Sequence, residues 1–166
     1  MIIIALGANL PSRFGGPEDT LAAAYAEMER RGVIITKSSA IWLTAPVPAS
    51  DQPWYRNAVV SVETALDIFS LLQILKQIEK DFGRADTVRD APRVLDLDVI
   101  AWNDRVYETP DLVVPHPRMQ GRGFVLYPLQ EIAPGWIHPV LGQSVAELIA
   151  ALPEAQAVSP IGMRAA

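Results

Sequence analysis

Residues 33–64, VIITKSSAIWLTAPVPASDQPWYRNAVVSVET, contain the pattern that most restricts the fold class. Val33–Thr44 is rich in Ile, Val, Thr and Ser, and Trp54–Thr64 has a similar composition, so each half predicts a β-strand. Three prolines, Pro46, Pro48 and Pro53, predict a loop between the two halves. Because these strands follow one another without a helix, the pattern disfavours a doubly wound parallel sheet.

The flanking segments extend this pattern into one domain. Residues 2–6 are a short apolar run that Gly7 ends, and Val94–Trp102 is a later strand. Apolar residues at helical spacing predict one helix after the first strand and another over residues 68–82, with short helices at Gly123–Ile132 and Ser144–Leu152. This order predicts an α+β fold with a ferredoxin-like βαββαβ core, in which helices pack on a mainly antiparallel sheet. A single domain would span residues 1–166, with a weakly structured tail at about 154–166.

Composition excludes several classes of protein. The chain has 166 residues, no Cys and 2 His, which excludes a disulfide framework, a thiolate nucleophile, a Cys-based metal site and a three-His site. The net charge of −5 makes a general nucleic-acid-binding surface unexpected. No stretch approaches the roughly 20 apolar residues of a membrane span, and the N-terminus lacks the basic region of a signal peptide. We therefore expect a cytoplasmic protein without nucleic-acid or membrane partners.

Two carboxylates stand out in the strand Val94–Trp102. Strand side chains alternate between faces, so Leu95, Leu97, Val99 and Ala101 are expected on the core face, and Asp96 and Asp98 together on the other. Two carboxylates roughly 7 Å apart along a strand suit Mg²⁺, which is commonly held by one or two carboxylates together with substrate phosphates. The alternative is a solvent-facing acidic pair on an edge strand. Aspartate is uncommon in strands and its neighbours here are apolar, which favours the metal site.

Arginines cluster in sequence around this pair. Eleven of the 14 basic residues are arginine, whose planar fork matches phosphate oxygens. Arg84, Arg89 and Arg93 precede the strand, whereas Arg118 and Arg122 follow His116 in the segment Pro115-His116-Pro117. Carboxylates that hold a metal, together with converging guanidiniums, describe a polyphosphate site. His116 alone is equally compatible with a structural or a catalytic role.

Tyr55 and Asn57 are two residues apart on Trp54–Thr64 and so share a face. Asn offers a donor and an acceptor together, which matches the edge of a heterocycle, and Tyr offers a stacking surface. By spacing alone, an ordinary strand with a polar outward face explains them somewhat better than a binding site does.

Taken together, these residues resemble the 6-hydroxymethyl-7,8-dihydropterin pyrophosphokinase family of folate biosynthesis over roughly residues 2–150. The blocks that carry the resemblance are Ala5-Leu6-Gly7-Ala8-Asn9-Leu10, Thr44-Ala45-Pro46, Gln52-Pro53-Trp54-Tyr55-Arg56-Asn57-Ala58, Ile78-Glu79-Lys80-Asp81-Phe82-Gly83-Arg84, Pro92-Arg93-Val94-Leu95-Asp96-Leu97-Asp98, and Val114-Pro115-His116-Pro117-Arg118-Met119 with Arg122-Gly123-Phe124-Val125. Their combination and order are more specific than any one motif.

The resemblance implies transfer of the terminal diphosphate of ATP to the pterin hydroxymethyl group, leaving AMP, by a monomer that uses two Mg²⁺ ions. It implies metal binding by Asp96 and Asp98, which with Arg84 and Arg93 form the catalytic set. It also implies a pterin ring stacked between Tyr55 and Phe124, with polar contacts from Asn57 and from the segment Thr44, Ala45 and Pro46. ATP phosphates would meet Arg84, Arg89, Arg93, His116 and Arg122. Three loops, 9–16, 45–53 and 84–92, would close over the site.

Two departures from the family pattern keep alternatives open. Asp90-Ala91 stands where the family often has Trp-Gly, and Asp86 stands where a second arginine is common. A different metal-dependent phosphotransferase or phosphohydrolase would keep the Asp pair without needing Tyr55, Asn57 and Phe124. A catalytically silent pterin- or nucleotide-binding protein would keep the site and lack turnover. Asp90 is expected to face solvent, because burial against triphosphate would add repulsion.

Overall fold

The computed structural model describes residues 1–85, 89–152, 156 and 158–164. Its elements, in chain order, are β1 (Ile2–Ala8), α1 (Pro17–Arg30), β2 (Ile34–Ser38), β3 (Ala40–Thr44), β4 (Tyr55–Glu63), α2 (Ile68–Asp81), β5 (Asp96–Trp102), β6 (Tyr107–Glu108), β7 (Val113–Val114), α3 (Gly123–Ile132), α4 (Val145–Ala150) and β8 (Val158–Arg164). A single 3-10 turn over Met119–Gly121 precedes α3.

The main sheet has the strand order β5-β1-β4-β3-β8, and β2 also pairs with β4. Every pairing in it is antiparallel. The prediction of an α+β fold with packed helices and a mainly antiparallel sheet is confirmed. Two consecutive strand segments without a helix between them, β3 and β4, pair directly, as the stretch 33–64 predicted.

Helices cover both faces of the sheet, which follows from the alternation of its side chains. Ile2, Ile4 and Leu6 of β1 join the core that lies under α1 and α2, whereas Ile3 joins a second core with residues of α3 and α4. Both faces of β1 are buried, and a strand that is buried on both faces has apolar residues at consecutive positions. This explains why the sequence of β1 is a continuous apolar run without alternation of apolar and polar residues.

Local chemistry fixes the ends of the first two helices. The α1 helix begins with Pro17, whose fixed φ suits the first helical position, and it carries Glu18 and Asp19 at its positive end. The Asp67 side chain caps α2 by accepting a hydrogen bond from Ser70 N at 2.8 Å. After α2, Gly83 adopts a φ of 101°, a conformation that favours glycine. The chain thereby turns toward the segment that carries Arg84.

Three sequence expectations differ from the structure in the sheet. The first strand does not end before Gly7 but continues to Ala8. The strand expected over Val33–Thr44 is broken at Ser39, whose buried hydroxyl accepts a hydrogen bond from Val59 N at 3.0 Å. Ala101 leaves the face of Leu97 and Val99 and joins the second core, because the register between β1 and β5 shifts between Ile3 and Ile4.

The chain end also differs from the expectation of a weakly structured tail. Val158–Arg164 forms β8, which pairs with β3 from Val158 opposite Thr44 to Arg164 opposite Ala40. Without β8, one edge of β3 would present unpaired backbone N–H and C=O groups, and pairing with these groups orders residues 158–164. The local composition of the segment does not reveal this long-range pairing. Among the described residues, no helix is long and apolar enough to cross a membrane.

Candidate active site

A cavity of about 220 Å³ opens on the face of the sheet that α3 covers. It is bordered by the ends of β3, β4 and β5, by Gly7 of β1, and by the start of α3. Its lining contains nearly all the residues that the sequence singled out: Thr44, Ala45, Tyr55, Asn57, Arg84, Arg89, Arg93, Asp96, Asp98, His116, Arg122 and Phe124. Pro46 is buried and does not line the cavity, whereas its neighbour Val47 does.

The sequence-based site set omitted Gly7, Gln52 and Arg118, which also line the cavity. Gly7 had a usable signal, since a glycine inside a strand often marks a close approach of another group. Asp90 lines the cavity too, although it is largely exposed, and its Oδ1 lies 4.0 Å from Arg118 Nη1. Asp86 falls outside the described residues.

The strand register places cavity residues of β4 and of β5 on the two sides of β1. Gly7 pairs with Asp96 of β5 on one side and with Asn57 of β4 on the other. A Cβ at residue 7 would lie 2.6 Å from Asn57 Oδ1, closer than a real side chain tolerates. Because Gly7 has no side chain, the Asn57 amide has room to lie over β1, next to the strand β5 that carries Asp96 and Asp98.

One end of the cavity is aromatic and amide-rich. Asn57 is buried and donates from Nδ2 to Thr44 Oγ1 at 2.6 Å, which fixes both polar groups. The Tyr55 hydroxyl lies 3.2 Å from Gln52 Oε1 and 3.2 Å from the Ala91 carbonyl oxygen. Phe124, in the first turn of α3, lies under the Arg122 guanidinium at 5.3 Å from ring centroid to Cζ. This end offers ring faces together with donors and acceptors.

The other end is acidic. The side chains of Asp96 and Asp98 each keep about 36% of their exposure, so both carboxylates open into the cavity. Desolvation by the surrounding protein, and next the negative charge of Asp96, raise the pKa of Asp98 to about 7. A cation between the two carboxylates would relieve both effects. Among the described residues no three acids or histidines gather as a complete metal cage. This donor set nevertheless fits Mg²⁺, which keeps waters and takes further ligands from substrate phosphates.

A buried acid that sequence reasoning missed anchors this end. Glu79 of α2 is 5% exposed, forms an ion pair with Arg84, and accepts a hydrogen bond from Leu97 N at 3.1 Å. Burial, and next the charge of Asp96, raise the pKa of Glu79, and the positive charge of Arg84 offsets part of this rise. Arg84 Nη1 also donates to Asp96 Oδ1 at 2.9 Å. Glu79 thus connects α2 both to β5 and to Arg84, although in the sequence it stood out only as part of the block Ile78-Glu79-Lys80-Asp81-Phe82-Gly83-Arg84.

Across the cavity, His116 lies among arginines. Burial first, and then the charges of Arg122 and Arg118, lower the pKa of His116 to about 4, so the ring is neutral at pH 7. Its Nδ1 accepts a hydrogen bond from Arg118 N at 3.2 Å, which leaves the proton on Nε2. Nε2 lies 4.0 Å from Asp98 Oδ2. Burial and the neighbouring Arg118 also lower the pKa of Arg122, the sign of a site that favours an added anion.

Three loops meet at one buried amide. Asn9, 2% exposed, donates from Nδ2 to Gln52 Oε1 and to the Pro53 carbonyl oxygen, both at 2.9 Å. Its Oδ1 accepts from Arg93 N at 2.8 Å. Residues of the loops 9–16, 45–53 and 84–92, or directly beside them, are therefore held together at the cavity rim.

Comparison with known proteins decides the family. The model of the 7,8-dihydro-6-hydroxymethylpterin-pyrophosphokinase (HPPK) family matches residues 3–134. The chain belongs to this family. The resemblance drawn from the sequence motifs is confirmed.

Its relatives include single enzymes and longer proteins. The chain is 43% identical over 130 residues to the 2-amino-4-hydroxy-6-hydroxymethyldihydropteridine pyrophosphokinase of Bacillus subtilis, covering 78% of this chain and 75% of that one. It is 37% identical over 153 residues to the Pseudomonas aeruginosa protein of the same name, covering 92% and 91%. It is also 37% identical over 141 residues to the folic acid synthesis protein FOL1 of Dictyostelium discoideum, covering 85% of this chain. It spans only 21% of that longer protein.

Solved structures agree on the fold. The wild-type HPPK-DHPS protein of Plasmodium falciparum matches with a TM-score of 0.66 at 14% identity, covering 90% of this chain and 44% of that one. A second HPPK-DHPS structure, determined in complex with substrates, matches with a TM-score of 0.69 at 15% identity, covering 90% and 42%. At these identities the likeness concerns the HPPK fold alone.

Proposed function

We propose that this protein transfers the diphosphate of ATP to the hydroxymethyl group of 6-hydroxymethyl-7,8-dihydropterin, giving AMP and the pterin diphosphate, as a step of folate biosynthesis. The observation that carries the proposal is that, within one cavity, an aromatic, amide-rich end adjoins an end of paired acids and arginines. Membership of the HPPK family and the names of the bacterial relatives support the same reaction.

The aromatic end is the proposed pterin site. Tyr55 and Phe124 would stack on the two faces of the ring, with each stacking contact worth on the order of 1 kcal/mol or more. The Asn57 amide and the Thr44 hydroxyl, already fixed to each other at 2.6 Å, would meet the polar edge of the heterocycle. Ala45 lies beside them in the lining. Pro46 would act only by shaping the backbone of this segment.

The acidic end is the proposed site of two Mg²⁺ ions, held by Asp96 and Asp98. When bound, these ions would neutralise charge on the phosphates of ATP and on the group being transferred. The structural reason for the assignment is the pair of cavity-facing carboxylates with a raised pKa at Asp98. Arg84, Arg89, Arg93 and Arg122 would take the remaining phosphate charge.

The chain's own residues would mainly position and stabilise charge, because phosphoryl transfer gains most from these effects. Neutral His116 would donate its Nε2–H to a phosphate oxygen, since its Nδ1 is engaged with Arg118 N. Arg84 would exchange part of its contact with Asp96 for phosphate when a metal occupies the carboxylates. Closure of the three loops would exclude water from the reacting phosphorus.

The finer description of the molecule is part of this proposal. We propose a ferredoxin-like βαββαβ core made of β1, β2 together with β3, β4 and β5. The antiparallel pairing of β1 with β4 and β5, and of β4 with β2 and β3, supports this topology. We also propose one domain, working as a monomer in the cytoplasm. Size-exclusion chromatography with light scattering tests the monomer, and cell fractionation tests the location.

An assay of AMP release tests the function. With ATP, Mg²⁺ and the reduced hydroxymethylpterin, we expect equimolar AMP and pterin diphosphate, and no AMP when the pterin is omitted. ADP or phosphate release independent of the pterin would instead indicate a phosphohydrolase. Pterin binding by calorimetry without any turnover would indicate a silent binding protein. Tyr55→Ala and Phe124→Ala should weaken the binding of pterin more than that of ATP, and an equal loss for both ligands would move the pterin site elsewhere.

A further inference from the structure

The start of α3 is capped by a residue from the far end of the chain. The Gln156 side chain accepts a hydrogen bond from Gly123 N through Oε1 at 2.8 Å and donates from Nε2 to the Gly121 carbonyl oxygen at 2.8 Å. These two peptide groups lie on either side of Arg122. The N-cap residue Arg122 supplies no side-chain cap of its own. Because the first N–H groups of a helix lack partners within it, Gln156 satisfies one that would otherwise stay open.

The fit between the two segments is close. A Cβ on residue 123 would lie 3.0 Å from Gln156 Oε1 and 3.3 Å from the Tyr127 ring, so the absence of a side chain at Gly123 leaves the room that the carboxamide occupies. Gln156 itself is half-buried. Its two hydrogen bonds therefore hold one backbone geometry between the 3-10 turn and α3.

The segment that contains Gln156 also leads into β8, which pairs with β3 at the wall of the cavity that contains Thr44 and Asn57. Two residues after Gln156, Val158 begins β8 and pairs with Thr44, whose hydroxyl holds Asn57. Phe124 follows Gly123 directly on the other wall. The C-terminal segment thus connects the amide wall to the aromatic wall, although Gln156 is not among the residues lining the cavity.

We propose that Gln156 is a positioning residue for the pterin site, which fixes the start of α3 and through it the Phe124 ring. This inference rests on the proposed function. Gln156 touches no reacting group, so its loss should act on the binding of the flat substrate rather than on phosphate transfer. The two hydrogen bonds together are strong enough that their removal should raise the KM for the pterin roughly fivefold or more.

The test compares three variants. Gln156→Met keeps the length of the side chain and removes both hydrogen bonds, whereas Gln156→Glu keeps an acceptor for Gly123 N, where a negative charge is favoured by the helix dipole. Ser159→Ala is the control, because Ser159 lies exposed on β8 opposite Leu43. We measure kcat, the KM for each substrate, the thermal midpoint, and hydrogen exchange of the Gly123 amide.

We expect Gln156→Met to raise the pterin KM with less than a twofold change in the ATP KM, Gln156→Glu to restore part of the loss, and Ser159→Ala to match the wild type. Unchanged pterin KM in Gln156→Met would overturn the proposal, as would equal increases in both KM values with a lowered thermal midpoint. Hydrogen exchange at the Gly123 amide tests the capping contact of Gln156 separately from the proposed pyrophosphokinase reaction. Faster exchange in Gln156→Met, together with no turnover by the wild type, would reject the proposed reaction while keeping the capping contact.

Discussion

At the scale of single residues, the site depends on a few side chains whose environment differs from that of ordinary surface groups. Asp98 lies in protein surroundings that raise its pKa to about 7, beside a second carboxylate. Such perturbed acids in a cavity are typical of functional sites. The Mg²⁺ ions proposed above would offset the charge repulsion between these two carboxylates.

The first prediction at this scale concerns the two carboxylates. Asp96→Ala and Asp98→Ala should each lower kcat at least ~10²-fold, because each removes a proposed ligand of an ion that stabilises transition-state charge. The AMP-release assay measures this, with circular dichroism to verify folding. Asp104→Ala, at an exposed turn, is the matched control and should keep wild-type turnover. Wild-type rates in both site variants would exclude the metal assignment.

The second concerns Gly7. Gly7→Ala would place a methyl group 2.6 Å from Asn57 Oδ1, so the amide must shift and its hydrogen bond to Thr44 must weaken. We expect a roughly tenfold increase in the pterin KM, about 1.4 kcal/mol, with a smaller change for ATP. Gly135→Ala is the control, since no atom of the described part of the chain lies within 4 Å of its added Cβ. A Gly7→Ala enzyme with unaltered pterin KM would show that Asn57 does not contact the ring.

At the scale of elements, the loops around the cavity are coupled through side chains rather than through regular structure. Asn9 contacts the second loop through Gln52 and Pro53 and the third through Arg93 N. Gln52 in turn donates from Nε2 to the Asp90 carbonyl oxygen at 3.0 Å. A change in one loop is therefore transmitted to the others.

This coupling makes a prediction for Asn9→Ala. Removing the amide leaves polar groups at the junction without their partners, at a cost of about 1–3 kcal/mol. Hydrogen exchange should increase in residues 45–53 and 89–93 together, and kcat should fall. Ser12→Ala is the control within the first loop, because the hydrogen-bond partners of Ser12 Oγ among the described residues are the nearby Thr20 Oγ1 and Phe14 N. Faster exchange limited to residues 9–16 in Asn9→Ala would contradict the coupling.

At the scale of the whole molecule, one sheet separates two cores, and stability depends on groups far from the cavity. His138 is 5% exposed, and its Nδ1 accepts hydrogen bonds from Val140 N at 3.2 Å and Leu141 N at 3.1 Å. Burial lowers the pKa of His138 below the unfolded value of 6.5. The folded protein therefore prefers the neutral ring.

The sign of the pH effect follows from that direction. Stability from neutral His138 is fully present above pH 6.5 and is lost as pH falls below 6.5 toward the lowered folded pKa, by at most about 1.4 kcal/mol per pH unit. Urea unfolding of wild type and His138→Gln between pH 7.5 and 5 should show a smaller loss in the variant. His116 is present in both proteins, so its contribution cancels. Parallel pH profiles would show that His138 does not titrate differently on folding.

Features of this protein that depend on local periodicity and on motif chemistry could be predicted from the amino-acid sequence. Consecutive strands around residues 45–53 predicted an antiparallel sheet, and alternation along β5 predicted that Asp96 and Asp98 share a face. The motif blocks identified the HPPK family, and they contain all the predicted residues that line the cavity except Arg89.

The contacts between segments that are distant in the chain became known from the folded structure. The pairing of Gly7 with both Asp96 and Asn57 depends on strand register, and the anchoring of Arg84 by Glu79 depends on how α2 packs on β5. The register shift that moves Ala101 to the second core, and the pairing of β8 with an open edge of β3, also leave no local signature. Such contacts join groups far apart in the chain, so their free energy appears only when the chain is folded.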